Sequence, residues 1–234
     1  MAQQGIDFAP CTGKQVDRVA ARLGAQSANF WILEDSATRI KHQGRYVYQS
    51  LLDNALGLAI IRWLARLPGE HIVIACAAIR EEVPDHLKAL VRRSYTQVQT
   101  VADFGDITAD VVKITVYDAQ GRCLDLRGQL GEFDDEAYIV ASDKQWIDIA
   151  NAGVHKGTTV ARLQQLVGAG RHETLVFGDG LNDIELMVCA DFSFAMRNGH
   201  DETKDAAHFI TRSNDEDAVM HTILQLFALQ RQGA

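Results

Sequence analysis

No run of about eighteen apolar residues occurs in the chain, so no segment is read as crossing a membrane. No block of basic residues occurs either. The 234 residues carry 23 Lys and Arg against 31 Asp and Glu, a formal net charge of −8. The pI is about 5.4. Nucleic acid and anionic membrane surfaces are therefore not the expected partners. Cysteine is scarce and dispersed: Cys11, Cys76, Cys123 and Cys189 form no C-x-x-C pair. That pattern argues against a disulfide frame or a zinc site and fits structural thiols in a reducing compartment. The eight histidines show no metal-ligand spacing. The first residues, Met1 to Gly5, have no basic segment leading into an apolar one, so no secretory signal is read there. Internal repeats and low-complexity tracts are missing as well. These absences leave the expectation of a soluble, cytoplasmic protein. The composition, 47% hydrophobic and 23% charged, suffices for one globular unit of one or two domains.

The most informative stretch is Leu175-Val176-Phe177-Gly178-Asp179-Gly180-Leu181-Asn182-Asp183. The apolar run from Thr174 to Phe177 predicts a short strand buried on both faces. Gly-Asp-Gly follows at once, then a helical pattern at Ile184, Leu186 and Met187. Such a strand–loop–helix unit belongs to an open α/β sheet, which binds ligands beyond the carboxyl ends of its strands. Asp179 and Asp183 stand at that place. The glycines allow a tight turn and close backbone approach, and a helix start turns its amides toward an anion. Carboxylates at such a place point to Mg²⁺ with a phosphate, because Mg²⁺ is commonly held by one or two carboxylates plus phosphate oxygens. A solvated acidic loop is the plainer alternative.

Two further places offer phosphate chemistry. Residues 6–11 read as a short strand, although Pro10 counts against it. Thr12-Gly13-Lys14 follows, then a helical pattern at Val16, Val19, Ala20 and Leu23 with Gly24 past its end. A hydroxyl, a glycine amide and an ammonium at such a turn can hold a phosphate. An ordinary turn fits the same residues. A Walker-A loop does not, since Gln15 follows Lys14 and Gly5 is too far away. Lys156 stands at the start of a helix that carries Val160, Leu163, Leu166 and Val167 on one face and stops at Gly168. A lysine there opposes the helix dipole. A phosphate would account for it, and a solvated side chain is the alternative. The neighbouring His155 reads as an exposed imidazole.

The rest of the chain sets the architecture. Residues 29–34 predict a buried strand, and Ile40 and Tyr46-Val47-Tyr48 flank Gly44 as a hairpin. From Leu51 a helix carries Leu52, Leu56, Ile60, Trp63 and Leu64, ended by Pro68-Gly69. A strand over residues 71–78, a helix over 81–93 and a strand over 111–117 follow. Residues 118–121 make a turn, Cys123 starts a return strand, and residues 138–141 and 146–149 are two more strands. This β-rich α+β segment, residues 51–150, predicts a second domain inserted into an α/β core of residues 1–50 and 151–234. Towards the end, residues 192–196 predict a strand and 203–209 a short helix. Ser213-Asn214-Asp215-Glu216 is a capping box for the last helix, with Val219, Ile223, Leu226 and Phe227 inward.

Taken together, Thr12-Gly13-Lys14, Lys156-Gly157 and Gly178-Asp179-Gly180-Leu181-Asn182-Asp183 resemble the haloacid-dehalogenase (HAD) superfamily, most of all its Cof-type capped phosphatases. The likeness continues through Phe194-Ala195-Met196-Arg197-Asn198 and Ser213-Asn214-Asp215-Glu216-Asp217. It implies an α/β fold: a HAD-like Rossmannoid parallel-sheet core with an inserted α+β cap that selects the substrate. It also implies a Mg²⁺-dependent phosphatase of small phosphorylated metabolites. In that family the Thr-Gly pair holds the phosphate, which would be Thr12 and Gly13. The lysine, here Lys156, neutralises phosphate and nucleophile. Asp179 would bind Mg²⁺. Asn182 and Asp183 would orient phosphate, metal waters and Lys156, so Asp183 belongs to both the catalytic and the metal group.

Departures from the family pattern shape the functional expectation. Family members begin with a strand ending in D-x-D-G-T. Only eleven residues precede Thr12, and residues 1–234 hold no such motif. In the family its first Asp is the nucleophile that becomes an aspartyl-phosphate, and its second is the acid and base. Asp118-Ala119-Gln120-Gly121 and Asp125-Leu126-Arg127-Gly128 echo the motif, but each lacks the second Asp and both fall in the cap. Lys14 replaces the usual Arg and loses a bidentate fork. Glu34-Asp35-Ser36-Ala37 stands where the family often has Asn-Gly-Ala. The missing strand would be central, between those ending at Cys11 and Phe177. Its loss would leave ladder groups unpaired at about 1–3 kcal/mol each, against a stability of about 5–15 kcal/mol. Three readings follow. The chain is a phosphatase once D-x-D-G-T is supplied, or a non-catalytic remnant that binds phosphate and metal weakly. The third is a receiver-type signalling domain, which the cap-sized insertion and G-D-x-x-N-D argue against.

Overall fold

The computed structural model describes residues 5–13, 19, 23–24, 29–67, 71–75, 78–95 and 98–232. The chain falls into two compact units, Met1–Thr159 and Val160–Ala234, and the boundary lies inside the helix Lys156–Val167.

Among the described residues the first unit holds two sheets. The smaller is an antiparallel meander of β1 (Ile32–Glu34), β2 (Arg39–His42) and β3 (Arg45–Gln49). Gln43 and Gly44, at φ 48° and 77°, make the two-residue turn of the expected hairpin, both left-handed as a type I′ turn requires. The strand expected over residues 6–11 is reduced to one parallel bridge, Cys11 to Leu33. Pro10 has no amide to give to a ladder; its carbonyl accepts the Leu33 amide at 2.8 Å. Val19 and Leu23 are helical, and Gly24 at φ 66° fits the expected stop. The rest of that helix, with Lys14, lies outside the described residues, as does the expected stop at Pro68-Gly69.

The larger sheet runs β6-β5-β4-β7-β9-β8. Its strands are β4 (His71–Ala75), β5 (Ala78–Arg80), β6 (Gln99–Val101), β7 (Ile114–Asp118), β8 (Ala137–Ala141) and β9 (Trp146–Asn151). The helix Asn54–Leu64 packs into the same core, its first turn capped by the Asp53 carboxylate on the Leu56 amide at 2.9 Å. Ile60, Leu64, Ile114, Leu130, Ile147 and Ile149 are fully buried there.

Several sequence expectations are corrected in this unit. Residues 71–78 are not one strand. β4 and β5 run antiparallel, Ala75 opposite Ala78, and the apolar run hid the reversal because both strands are buried. The helix expected from residue 81 starts only at Asp85, because Pro84 sits at its N-cap and disfavours helix in the residue before it. The return strand expected at Cys123 is the helix Cys123–Gln129. Cys123, Leu126 and Leu130 are buried at steps of three and four, a helical stripe rather than an alternation.

The turn before that helix is held by Asp118. Its buried carboxylate accepts the Gln120 amide at 2.8 Å and the Arg122 guanidinium at 3.0 and 2.5 Å. Burial works to raise the Asp118 pKa, but the Arg122 guanidinium and the two amides outweigh it and hold the carboxyl below its usual range. A depressed folded-state pKa adds stability that is present above the unfolded value, about 3.9, and is lost as pH falls through the folded value. Arg122→Ala is expected to lower the stability measured by urea unfolding at pH 7. Between about pH 4 and pH 2 the variant should lose less further stability than the parent. An unchanged acid limb would disprove this assignment.

The second unit is a parallel sheet in the order β10 (Leu175–Gly178), β11 (Phe192–Met196), β12 (Phe209–Thr211). The rings of Phe177, Phe194 and Phe209 stack across the three strands, centroids 5.3 and 5.0 Å apart. Among the described residues β10 has a ladder partner on one side only, and its burial alternates rather than covering both faces. The short helix expected over residues 203–209 is Asp201–Ala206, and Phe209 instead opens β12, where its ring joins the stack. The Ser213 capping box is present, but it caps the 3₁₀ turn Asn214–Glu216. Asp217, at φ 50°, then reverses the backbone, and the helix Ala218–Gln232 follows. Ala218 and Thr222 are buried in that helix, and Val219, Ile223, Leu226 and Phe227 are half-buried as expected.

Candidate active site

In the second unit the loop after β10 is built around two carboxylates with different tasks. The Asp183 side chain is buried, and its Oδ2 accepts the amides of Asp179 and Gly180, each at 3.0 Å. It lies so close over Gly178 that a Cβ there would meet Asp183 Cβ at 2.6 Å and Met187 Cε at 2.8 Å. Only glycine fits that position. Two amides expected to face an anion therefore face Asp183 instead. A 3₁₀ turn, Leu181–Asp183, leads into the short helix Ile184–Val188, which holds the expected Ile184, Leu186 and Met187.

Asp179 is half-buried. Its carbonyl accepts the His200 amide at 2.9 Å, and its Oδ2 accepts Asn214 Nδ2 at 2.8 Å. A Cβ at Gly199 would come within 2.9 Å of the Asp179 carbonyl oxygen, so the turn after β11 closes on the loop only with glycine there. Thr203 Oγ1 donates to the Gly180 carbonyl at 2.7 Å and ties the next helix to the same loop. The Asn182 amide makes no hydrogen bond among the described residues and is half-buried. Asp179, Asn182 and Asp183 all lie in this one loop and the 3₁₀ turn that ends it. No group of three or more His, Cys, Asp or Glu suited to a metal occurs among the described residues.

In the first unit Thr12 and Gly13 form a tight backbone corner. Thr12 donates its amide to the Leu33 carbonyl at 2.9 Å and accepts the Ser36 amide at 3.0 Å. Asp35, Ser36 and Ala37 are three successive left-handed residues, at φ 51°, 60° and 67°. Such residues are strained and persist where their surroundings hold them. Here Thr38 Oγ1 holds the Asp35 carbonyl at 3.0 Å and Thr159 Oγ1 the Ala37 carbonyl at 2.6 Å. Ser36 Oγ donates to Asp148 Oδ2 at 2.5 Å. The Lys113 ammonium completes the set: it donates to the Gly13 carbonyl at 2.9 Å and Ser36 Oγ at 3.3 Å and lies 3.2 Å from Asp148 Oδ1. Thr115 Oγ1 donates to Asp148 Oδ1 at 2.9 Å and accepts from the Tyr95 hydroxyl at 3.0 Å. Burial works against the charge on Lys113, but Asp148 beside it outweighs burial and holds the ammonium above its ordinary value. Burial likewise raises the Tyr95 phenol.

Lys156 is also in this unit, as the first residue of its helix, and it is 7% exposed. That removes the solvated-lysine alternative. Thr158 braces the helix start, accepting the His155 amide at 3.1 Å and donating to the Gly153 carbonyl at 3.0 Å.

Sequence reasoning missed Lys113, Asp148 and the bonding of Ser36 to them, and it missed the pairing of Asn214 with Asp179 and of Asn198 with Asn214. A signal existed for two of them. Lys113 and Asp148 interrupt otherwise apolar runs, Val111 to Val116 and Trp146 to Ile149, where a charge is tolerated only if it is paired.

Comparison with known proteins agrees with these motifs. A model of the haloacid dehalogenase-like hydrolases matches residues 1–223. The chain belongs to that family. It is 26% identical over 228 residues to the 5-amino-6-(5-phospho-D-ribitylamino)uracil phosphatase YbjI of Escherichia coli, covering 95% of this chain and 84% of that one. Among solved structures it matches a Streptococcus mutans protein at TM-score 0.91, with 18% identity over 97% of this chain and 88% of the other. A sugar phosphatase of HAD subclass IIB matches at TM-score 0.80, 16% identical, covering 96% and 87%. The expected mixed α/β HAD-like fold is therefore present, and the haloacid dehalogenase-like relatives of this chain include phosphatases. No helix among the described residues is long and apolar enough to cross a membrane.

Proposed function

We propose that residues 1–234 carry the phosphate- and Mg²⁺-binding part of a phosphatase site for small phosphorylated metabolites, in a cytoplasmic protein. Residues 1–50 and 151–234 are its core, and 51–150 are the cap that selects the substrate. The observation that carries the reading is Asp179. It stands at the carboxyl end of a parallel strand, one oxygen fixed by Asn214 and the other with no partner among the described residues. That is a donor for a hard cation that keeps most of its waters and shares a phosphate.

The residues take distinct roles. Asp179 is the carboxylate ligand for Mg²⁺, which would neutralise phosphate charge when bound. Asp183, whose Oδ2 is occupied by two loop amides, shapes the metal loop and lies beside the metal group. Asn182, whose amide makes no hydrogen bond among the described residues, meets the phosphate. Thr12 and Gly13 hold the phosphate with hydroxyl and amide, and the buried Lys156 supplies the positive charge. A relative that removes phosphate from a ribitylaminouracil supports a small phosphorylated metabolite as substrate. Without D-x-D-G-T, residues 1–234 bind and do not catalyse.

Mg²⁺ titration by calorimetry tests the metal assignment. Weak binding is expected from the parent, because most ligands are waters, and none from Asp179→Asn. Tight binding that survives Asp179→Asn would show that the cation sits elsewhere.

A further inference from the structure

We infer that Asn214 is the positioning residue for Asp179, with Asn198 as its brace, and that this amide pair decides which carboxylate oxygen meets a divalent cation. The inference rests on the metal reading of Asp179. Three hydrogen bonds carry it. The Asn214 backbone amide donates to Asn198 Oδ1 at 3.1 Å, Asn198 Nδ2 donates to Asn214 Oδ1 at 2.8 Å, and Asn214 Nδ2 donates to Asp179 Oδ2 at 2.8 Å.

Their polarity is fixed from both ends. A backbone amide can only donate, and an ionised carboxylate can only accept. Asn198 must therefore turn its oxygen to the Asn214 amide, which leaves its nitrogen for Asn214 Oδ1. Asn214 must then turn its own nitrogen to Asp179. Flipping either amide would set donor against donor or acceptor against acceptor. The relay has one orientation, and it ends on one oxygen of one carboxylate.

The backbone supports this aim. Asn214 lies in the 3₁₀ turn capped by Ser213 and Glu216, and Asn198 lies in the turn that closes on Asp179 through the His200 amide. Two loops separated in sequence thus converge on the loop of Asp179. The three side chains are exposed enough to exchange these bonds with water, so the relay adds little to stability. Its effect is directional: it holds the Asp179 carboxylate by Oδ2 and leaves Oδ1 for the cation. Partners that orient a metal ligand typically matter about 10–100-fold in affinity.

The test uses residues 1–234 and Mg²⁺ alone, followed by NMR shifts of the amides of residues 178–183, with thermal unfolding measured in parallel. Asn214→Ala is expected to weaken Mg²⁺ binding about tenfold with its unfolding midpoint unmoved. Asn198→Ala should show a smaller loss of affinity in the same direction. A merely structural asparagine would move the midpoint and leave the affinity alone. Parent-like Mg²⁺ affinity in Asn214→Ala, with binding abolished in Asp179→Asn, overturns the inference and leaves the metal reading standing. No Mg²⁺-dependent shift in the parent, or unchanged binding in Asp179→Asn, overturns both. If Asn214→Ala does not fold, Asn198→Ala decides, and unchanged affinity there overturns the inference.

Discussion

Purified residues 1–234 are expected to release only traces of phosphate from phosphosugars or an aryl phosphate in the presence of Mg²⁺. The same residues extended at the amino end by a strand ending in D-x-D-G-T are expected to turn these substrates over. The family's chemistry needs one carboxylate in line with phosphorus and a second to protonate the leaving oxygen. Asp183 cannot be the nucleophile, because it is buried and its Oδ2 is bonded to two amides of its own loop. Asp179 has one oxygen held by Asn214, and in our proposal the other meets the metal. Positioning and electrostatics alone give some rate, but acid–base catalysis by itself is worth about 10²–10⁴-fold, and the covalent route is lost as well. The extended form should therefore exceed the parent by more than that range, and changing the first Asp of its motif to Asn should abolish the gain. Comparable Mg²⁺-dependent turnover by residues 1–234, lost in Asp179→Ala, would mean that the nucleophile has been misplaced.

Local chemistry was legible in the sequence where a short stretch suffices to specify it. Gly178 to Asp183 encodes its own loop, since Asp183 reaches back to the amides of Asp179 and Gly180. The hairpin around Gly44 and the helix Asn54–Leu64 are likewise set by residues within a few positions. Three kinds of feature were not legible. β5 vanished into an apolar run, because a strand buried on both faces has no alternation to mark where it reverses. The helix at Cys123 was misread because its stripe spans only two turns, too few to separate a helical from a strand period. The partners of the site residues were hidden for a different reason. Asn214 meets Asp179 across 35 positions, and Lys113 meets Gly13 across 100. A charge in an apolar run marks Lys113 as paired, but nothing local names the partner. The Glu34-Asp35-Ser36-Ala37 departure was visible, but its compensation by Asp148, Thr159 and Lys113 was not.

That compensation leads to the largest expected effect on stability. Lys113→Met is expected to lower the unfolding free energy of residues 1–234 by about 3–5 kcal/mol, because it leaves the Asp148 carboxylate buried without its counter-charge. Asp148 is 6% exposed and Lys113 5% exposed, so water cannot take over from either partner. Three acceptors lose a donor at once: the Gly13 carbonyl, Ser36 Oγ and Asp148 Oδ1. The left-handed residues Asp35, Ser36 and Ala37 then keep only part of the scaffold that holds them. Lys113→Met combined with Asp148→Asn should recover part of the loss, since a neutral pair removes the uncompensated charge. The pH dependence separates the ion pair from simple packing. A raised ammonium pKa contributes stability that is full below the unfolded value, about 10.4, and is lost only as pH rises through the higher folded value. The difference between parent and Lys113→Met should therefore be flat from about pH 6 to pH 9 and shrink only in stronger alkali. Urea unfolding at several pH values measures it. A cost below about 1 kcal/mol, the range of an exposed pair, or one that fades between neutral pH and about pH 9, would show that Lys113 does not hold Asp148 and the Gly13 corner as the structure indicates.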